Sequence, residues 1–298
     1  MIEALLYLIL SGEIQKTSPD FIVPITQSII PHKSVTKIKA KHLPVLMHDE
    51  KTALAAVDFD TQKILISQNF YRPQNIASLT KIMTTLIILQ EHQLDEIVTI
   101  APEATDTIGA KIGLLAYEKL TVKTLIEAML IPSANDAARA LAIFNAGSEA
   151  DFVKKMNKYA QKWGLTSAKF YNASGLDTED KNGNAVGNTL SAYDILKITR
   201  KALRYPVVEQ AVKKPMFYGQ SIDEKFSHQK PNTNQLLGGF LNLKGVKTGY
   251  TKLAGQCLVT LGESPTGNKI LTVILGSKDR FGETEKFLSW VYDSFTWQ

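Results

Sequence analysis

Apolar positions along this chain follow two periods, and the switches between them mark its organisation. Residues 52–59 and 63–67 are short apolar stretches parted by Asp60, Thr61 and Gln62, which predicts a β-hairpin. Residues 78–90 (SLTKIMTTLIILQ) are apolar nearly all round, the pattern of a buried helix. Residues 120–131 and the small-residue-rich 135–145 predict two more helices. Residues 148–163 follow, with Ser148 and Asp151 at capping-box spacing and Gly164 as the stop signal. Residues 191–203 repeat that grammar with Ser191 and Asp194. The period then returns to strands at 255–262 and 269–277, joined by a turn holding Pro265 and Gly267, before a last amphipathic helix over 283–295. Strands at both ends with helices between them predict an α/β fold. Its antiparallel sheet is built from both chain ends, with helices packed on it and a helical lobe inserted.

Residues 11–50 break both periods. They are polar, hold Pro19, Pro24, Pro31 and Pro44, and read as an extended lead-in. Ahead of them, residues 4–10 (ALLYLIL) form the shortest apolar run a signal-peptide core allows, with Glu3 where a basic residue is expected. That run is too short to span a bilayer, and reads equally as a short export segment or a small amphipathic start. The expected division is therefore a lead-in over 1–50 and a single domain over 51–298. A length of 298 residues would by itself allow one domain or two.

Composition narrows the class. With 44% hydrophobic and 21% charged residues the chain is neither disordered nor coiled coil. One cysteine, Cys257, excludes an intramolecular disulfide, a zinc knuckle and a CxxC redox site. The net charge of +5 favours an anionic partner. Its densest basic run, Lys33, Lys37, Lys39 and Lys41 between His32 and His42, lacks interleaved aromatics and belongs to no nucleic-acid motif. It reads as a solvated segment, and no nucleic-acid partner is expected.

Chemistry enters first by elimination. The sequence holds no GxSxG, HExxH, GxxxxGK[ST] or GxGxxG. Its histidines, at 32, 42, 48, 92 and 228, sit in polar contexts and read as surface residues. A Ser-His-Asp triad has no candidate, which leaves a lysine-based serine site. Ser78 to Lys81 is an SxxK sequence, but so are Ser34–Lys37 and Ser227–Lys230. Of the three, only Ser78 opens a strong helical pattern, where i and i+3 share a face and the amine reaches the hydroxyl. Lysine acts as a base only if its pKa falls, through burial or a second cation nearby. The bland alternatives are a capping serine and a lysine whose amine reaches solvent.

Ser133-Ala134-Asn135 is an SxN sequence at a helix–helix junction, able to aim a hydroxyl and an amide into a cleft or merely to cap the next helix. Lys247-Thr248-Gly249 precedes the C-terminal strands. There it offers a cation, a hydroxyl and a close backbone approach for a substrate carboxylate, or nothing more than a solvated strand end. Each motif is weak alone; the ordered set SxxK, SxN, KTG is specific.

On these motifs the chain resembles the low-molecular-weight penicillin-binding proteins, the serine-type D-alanyl-D-alanine carboxypeptidases, over about residues 51–295. The resemblance includes Ile76-Ala77-Ser78-Leu79-Thr80-Lys81, Ser133-Ala134-Asn135-Asp136, Gly245-Val246-Lys247-Thr248-Gly249-Tyr250, and the stretch Phe170 to Asp177 (FYNASGLD). It implies a β-lactamase/transpeptidase-like fold and no cofactor or metal. It implies that Ser78 attacks the bond between the last two D-alanines of a peptidoglycan stem peptide while Lys81 takes its proton. Ser133 and Asn135 would relay a proton to the leaving amine, Lys247 and Thr248 would hold the terminal carboxylate, and Gly249 would admit the substrate backbone. The N–H groups of Ser78 and Tyr250 would form the oxyanion hole. β-Lactam antibiotics would acylate Ser78, and the place of work would be outside the cytoplasm of a bacterium. Many members carry a second β-rich domain and a terminal amphipathic anchor, and this sequence stops before either would begin. Membrane attachment would then fall to residues 4–10. Two alternatives remain. A class A-like β-lactamase needs a loop glutamate, and Glu179, followed by Asp180-Lys181-Asn182-Gly183, does not match Glu-x-x-Leu-Asn. A non-catalytic penicillin-recognising sensor would have lost part of the set. Ser78 and Lys247 must meet in one cleft, which is the reason for expecting one domain over 51–298.

Overall fold

All six side chains of strand Ala53–Asp58 are buried, and a strand buried on both faces requires a layer on each side. The computed structural model, which describes residues 35–37 and 50–297, shows both layers. Ala53, Ala55 and Val57 meet the large cluster that contains Ile82, Leu86 and Ile126, whereas Leu54 and Ala56 meet Phe287, Leu288 and Val291. Alternation along one strand thus assigns the inserted lobe to one face and the last helix to the other.

The sheet runs Val246–Thr251, Gly255–Glu263, Lys269–Ser277, Ala53–Asp58, Ile64–Gln68, with every neighbouring pair antiparallel. The α/β fold with a sheet built from both chain ends is therefore as expected. Helices Thr80–Glu91, Val122–Leu130, Asn135–Ala146, Glu149–Lys162, Ala192–Ala202 and Pro206–Lys213 lie between the two groups of strands in the sequence. Ser148 and Ser191 each accept the backbone N–H three residues on, as their spacing predicted.

Several boundaries differ, each for a local reason. The last helix is Arg280–Ser294, since Asp279 accepts from Gly282 N and caps it earlier than the apolar pattern shows. It ends where Phe295–Trp297 turns extended and pairs antiparallel with Val35–Lys37. Helix Pro206–Lys213 and the hairpin Met216–Gln220/Ser227–Pro231 were not predicted, the hairpin because its strands carry no apolar alternation. Ser227 and Lys230, the rival SxxK pair, lie on that hairpin, where residues three apart point to opposite faces. His228 corrects the surface reading of the histidines. It is 9% exposed, with Nε2 2.7 Å from Glu118 Oε1 and Nδ1 3.2 Å from Ile112 O. Most of the 1–50 lead-in, including the apolar run at 4–10, lies outside the described residues.

Candidate active site

The helix beneath the first motif begins two residues later than its pattern suggests. Ala77–Leu79 is a single 3₁₀ turn, and the α-helix proper starts at Thr80. Ala77 holds φ +46°, a left-handed conformation that costs a non-glycine residue energy and delivers Ser78 from a sharp corner. The Ser78 hydroxyl makes no cap: the cap positions of the turn and the helix fall on Ile76 and Leu79, and neither has a side-chain cap. That removes the capping explanation for Ser78.

Lys81 is fully buried, which removes the solvent-reaching one. Its Nζ lies 2.9 Å from Ser78 Oγ, 2.7 Å from Asn135 Oδ1 and 2.7 Å from Ser174 O. Burial lowers its pKa from the usual lysine range to about 7, against the opposing pull of the Asp136 charge. A neutral amine has two N–H donors. Given to Asn135 and Ser174, they leave the lone pair directed at the Ser78 hydroxyl.

Asn135 holds its position from both ends of its amide, accepting from Lys81 and donating from Nδ2 to Ile108 O at 2.7 Å, so it is no helix cap. Ser133 sits at φ +67° in the junction before that helix, and its hydroxyl makes no hydrogen bond to another described residue. Asp136, next in sequence, is buried and accepts from the N–H groups of Ile112, Gly113, Leu114 and Ala137. It thereby fixes the loop that forms the far wall of the cleft.

The third motif arrives on the edge strand Val246–Thr251. A Cβ on Gly249 would stand 3.1 Å from Ser78 N and 3.0 Å from Ile76 O, so the strand lies directly against the turn that carries Ser78. Lys247 and Thr248 are buried, not a solvated strand end. Burial, and then the Lys81 and Arg280 charges, hold the Lys247 pKa well below the usual lysine range. Arg280 donates from Nη1 to Gly249 O at 2.8 Å. Ser78, Ser133, Asn135, Thr248, Gly249 and Tyr250 line one cleft of about 200 Å³, with Arg280 and Thr233 beside them. Tyr250 is 64% exposed at its mouth. Of the eight residues singled out by sequence, six line the cleft itself; Lys81 and Lys247 stand behind it, in contact with residues that do. None of the cleft's lining residues is acidic.

Sequence reasoning missed Arg280 and Thr233, and named Gly175 only as part of the stretch 170–177. Gly175, at φ +89°, lies so close to the Ser78 turn that a Cβ there would overlap Ala77 O. Asn172 Oδ1 accepts from Gly175 N at 2.6 Å, and Ser174 supplies the carbonyl that Lys81 uses. The quoted stretch 170–177 therefore backs Ser78 and Lys81.

A family model described as D-alanyl-D-alanine carboxypeptidase, peptidase S11, matches residues 39–279. The chain belongs to that family. This S11 chain is 33% identical over 269 residues to D-alanyl-D-alanine carboxypeptidase DacF of Bacillus subtilis (strain 168), across 87% of this chain and 66% of that protein. It is 34% identical over 257 residues to D-alanyl-D-alanine carboxypeptidase DacC of Escherichia coli (strain K12), across 80% of this chain and 60% of that protein. The chain thus spans 60–66% of the length of these curated relatives. Among solved structures, Penicillin-Binding Protein D2 from Listeria monocytogenes in the ampicillin-bound form superposes with a TM-score of 0.66 at 30% identity. That match covers 80% of this chain and 96% of the other. Among the described residues no helix is long and apolar enough to cross a membrane.

Proposed function

We propose that this S11 family member is a serine D-alanyl-D-alanine carboxypeptidase acting on peptidoglycan stem peptides outside the cytoplasm, and that β-lactams acylate its Ser78. The observation that carries the reading is the buried Lys81 amine, with a pKa of about 7, placed 2.9 Å from Ser78 Oγ. As the Ser78 oxygen bonds to the penultimate D-alanine carbonyl carbon, its proton passes to Lys81. The oxyanion forms beside the N–H groups of Ser78 and Tyr250, where one donor contributes about 10²–10³ in rate. Ser133, next to Asn135, relays the proton from Lys81 to the departing amine, and D-alanine leaves. Water then attacks the acyl carbon and restores the serine hydroxyl. Lys247, Thr248 and Arg280 surround the position of the terminal carboxylate, with no acid in the lining to repel it. Two basic side chains, Lys247 and Arg280, brought together by the fold favour an anionic ligand there.

The β-lactamase alternative loses support. Glu179, its candidate water activator, is exposed on the two-residue strand Thr178–Glu179 and does not line the cleft. An intact set of motifs in one cleft likewise weighs against a sensor.

A fluorescent penicillin and a peptide ending in D-Ala-D-Ala test the proposal together. The expected result is stable label on Ser78 and release of D-alanine. Neither label nor release sinks the reading. Fast turnover of the penicillin would make the protein a β-lactamase, and label without release would make it a sensor.

A further inference from the structure

Thr233 enters the cleft from a segment that carries none of the three motifs. It follows the unpredicted hairpin, in a short loop fixed by its own asparagines. Asn232 Nδ2 donates to Lys214 O at 2.9 Å, and Asn232 Oδ1 accepts from Asn234 N at 2.8 Å. The Thr233 N–H donates to Ile131 O, two residues before Ser133. Its Oγ1 lies 2.6 Å from Thr248 Oγ1, on the strand that carries the KTG sequence. One residue therefore bridges the helical lobe and the sheet across the cleft that both line.

Two hydroxyl oxygens at this distance share one proton along the line between them, and the second proton must point elsewhere. Thr248 is buried, and the basic side chains Lys247 and Arg280 beside it prepare the place for an anion. When a carboxylate occupies that place, the arrangement that satisfies every group has Thr233 donating to Thr248 and Thr248 donating to the carboxylate. We propose that Thr233 is a positioning residue that sets the donor direction of the Thr248 hydroxyl, and through it the preference for substrates with a free C-terminal carboxylate. This rests on the function proposed above.

The test compares a peptide ending in D-Ala-D-Ala with the same peptide ending in the C-terminal amide, for wild type and for Thr233→Val, Thr233→Ala and Thr233→Ser. Valine keeps the shape and the backbone N–H but cannot donate from its side chain. We expect kcat/KM for the free acid to fall about tenfold in the valine and alanine variants, the worth of one well-placed hydrogen bond. The amide rate should stay unchanged, and the serine variant should keep the wild-type preference. A purely structural role would lower both substrates alike. Equal losses on acid and amide, or no change on either, overturn the inference. If the wild type releases neither D-alanine from the acid nor D-alaninamide from the amide, the proposed activity falls instead. The comparison is then read from acylation by benzylpenicillin against its methyl ester. There a tenfold loss of acid preference in Thr233→Val supports the inference, and an unchanged ratio overturns it.

Discussion

Lys81 loses its proton near pH 7 because burial penalises the ammonium more than the Asp136 charge favours it. The amine is useful as a base only when neutral, so penicillin acylation should rise with pH through a midpoint of about 7 and then level off. Asp136→Asn removes the charge that holds the pKa up, so stopped-flow acylation should show the midpoint moving to lower pH. Lys81→Met should slow acylation by about 10²–10⁴. Folding responds to the same group. With a folded pKa of about 7 and an ordinary unfolded value near 10.5, the unfolded chain holds the extra proton between those limits. Stability from this group therefore increases as pH rises from 7 to 10.5, and the full penalty is present below 7. Urea unfolding at several pH values checks this: any advantage of Lys81→Met over wild type should shrink as pH rises across that window. Ser78 and Lys81 were legible in the sequence because their pairing is local, three residues on one helix, and the apolar run announced the burial. Arg280 and Thr233 were not, because each reaches the cleft through a long-range packing that no short window displays.

At the scale of elements, two glycines set how near the backbone comes to Ser78. Gly175 combines a positive φ with a Cβ position 1.9 Å from Ala77 O, so Gly175→Ala must displace the Ser78 turn or its own loop. A shift of about 1 Å at a reacting group costs on the order of 10²-fold in rate. That loss in the acylation rate constant, with a lowered thermal midpoint, is the expected result. Gly249→Ala meets its neighbours at 3.0–3.1 Å, so the edge strand needs to yield only a few tenths of an ångström. It should fold near normally and lose less rate than Gly175→Ala; the reverse order would show that the loop yields more easily than the strand. Caps at Ser148 and Ser191 were readable because a cap is a three-residue event. The 3₁₀ turn at Ala77–Leu79 was not, since it is imposed by Gly175 and Gly249 pressing on it from distant parts of the chain.

For the whole molecule, the two faces of the sheet divide the labour. Leu54 packs with the last helix, on the face away from the inserted lobe. Leu54→Ala should cost about 2–5 kcal/mol in urea unfolding and leave the acylation rate of the folded protein unchanged. A proportionate loss of acylation would mean that the last helix, through Arg280, transmits the disturbance to the cleft. The α/β class and the origin of the sheet at both chain ends could be read from apolar rhythm alone. The strand order could not, because register depends on which strands meet after the lobe has folded.

That order has a consequence for synthesis. Ala53–Asp58 is an inner strand, yet one of its neighbours is Lys269–Ser277, more than two hundred residues later. Closing so long a loop before any pairing rewards it makes folding slow, and the sheet cannot close until Lys269–Ser277 has been made. Ser78 therefore gains its neighbour Gly249 only after almost all of residues 50–297 have emerged. A nascent chain would carry Ser78 and Lys81 three residues apart in sequence, but neither the turn that presents the serine nor the cleft around it.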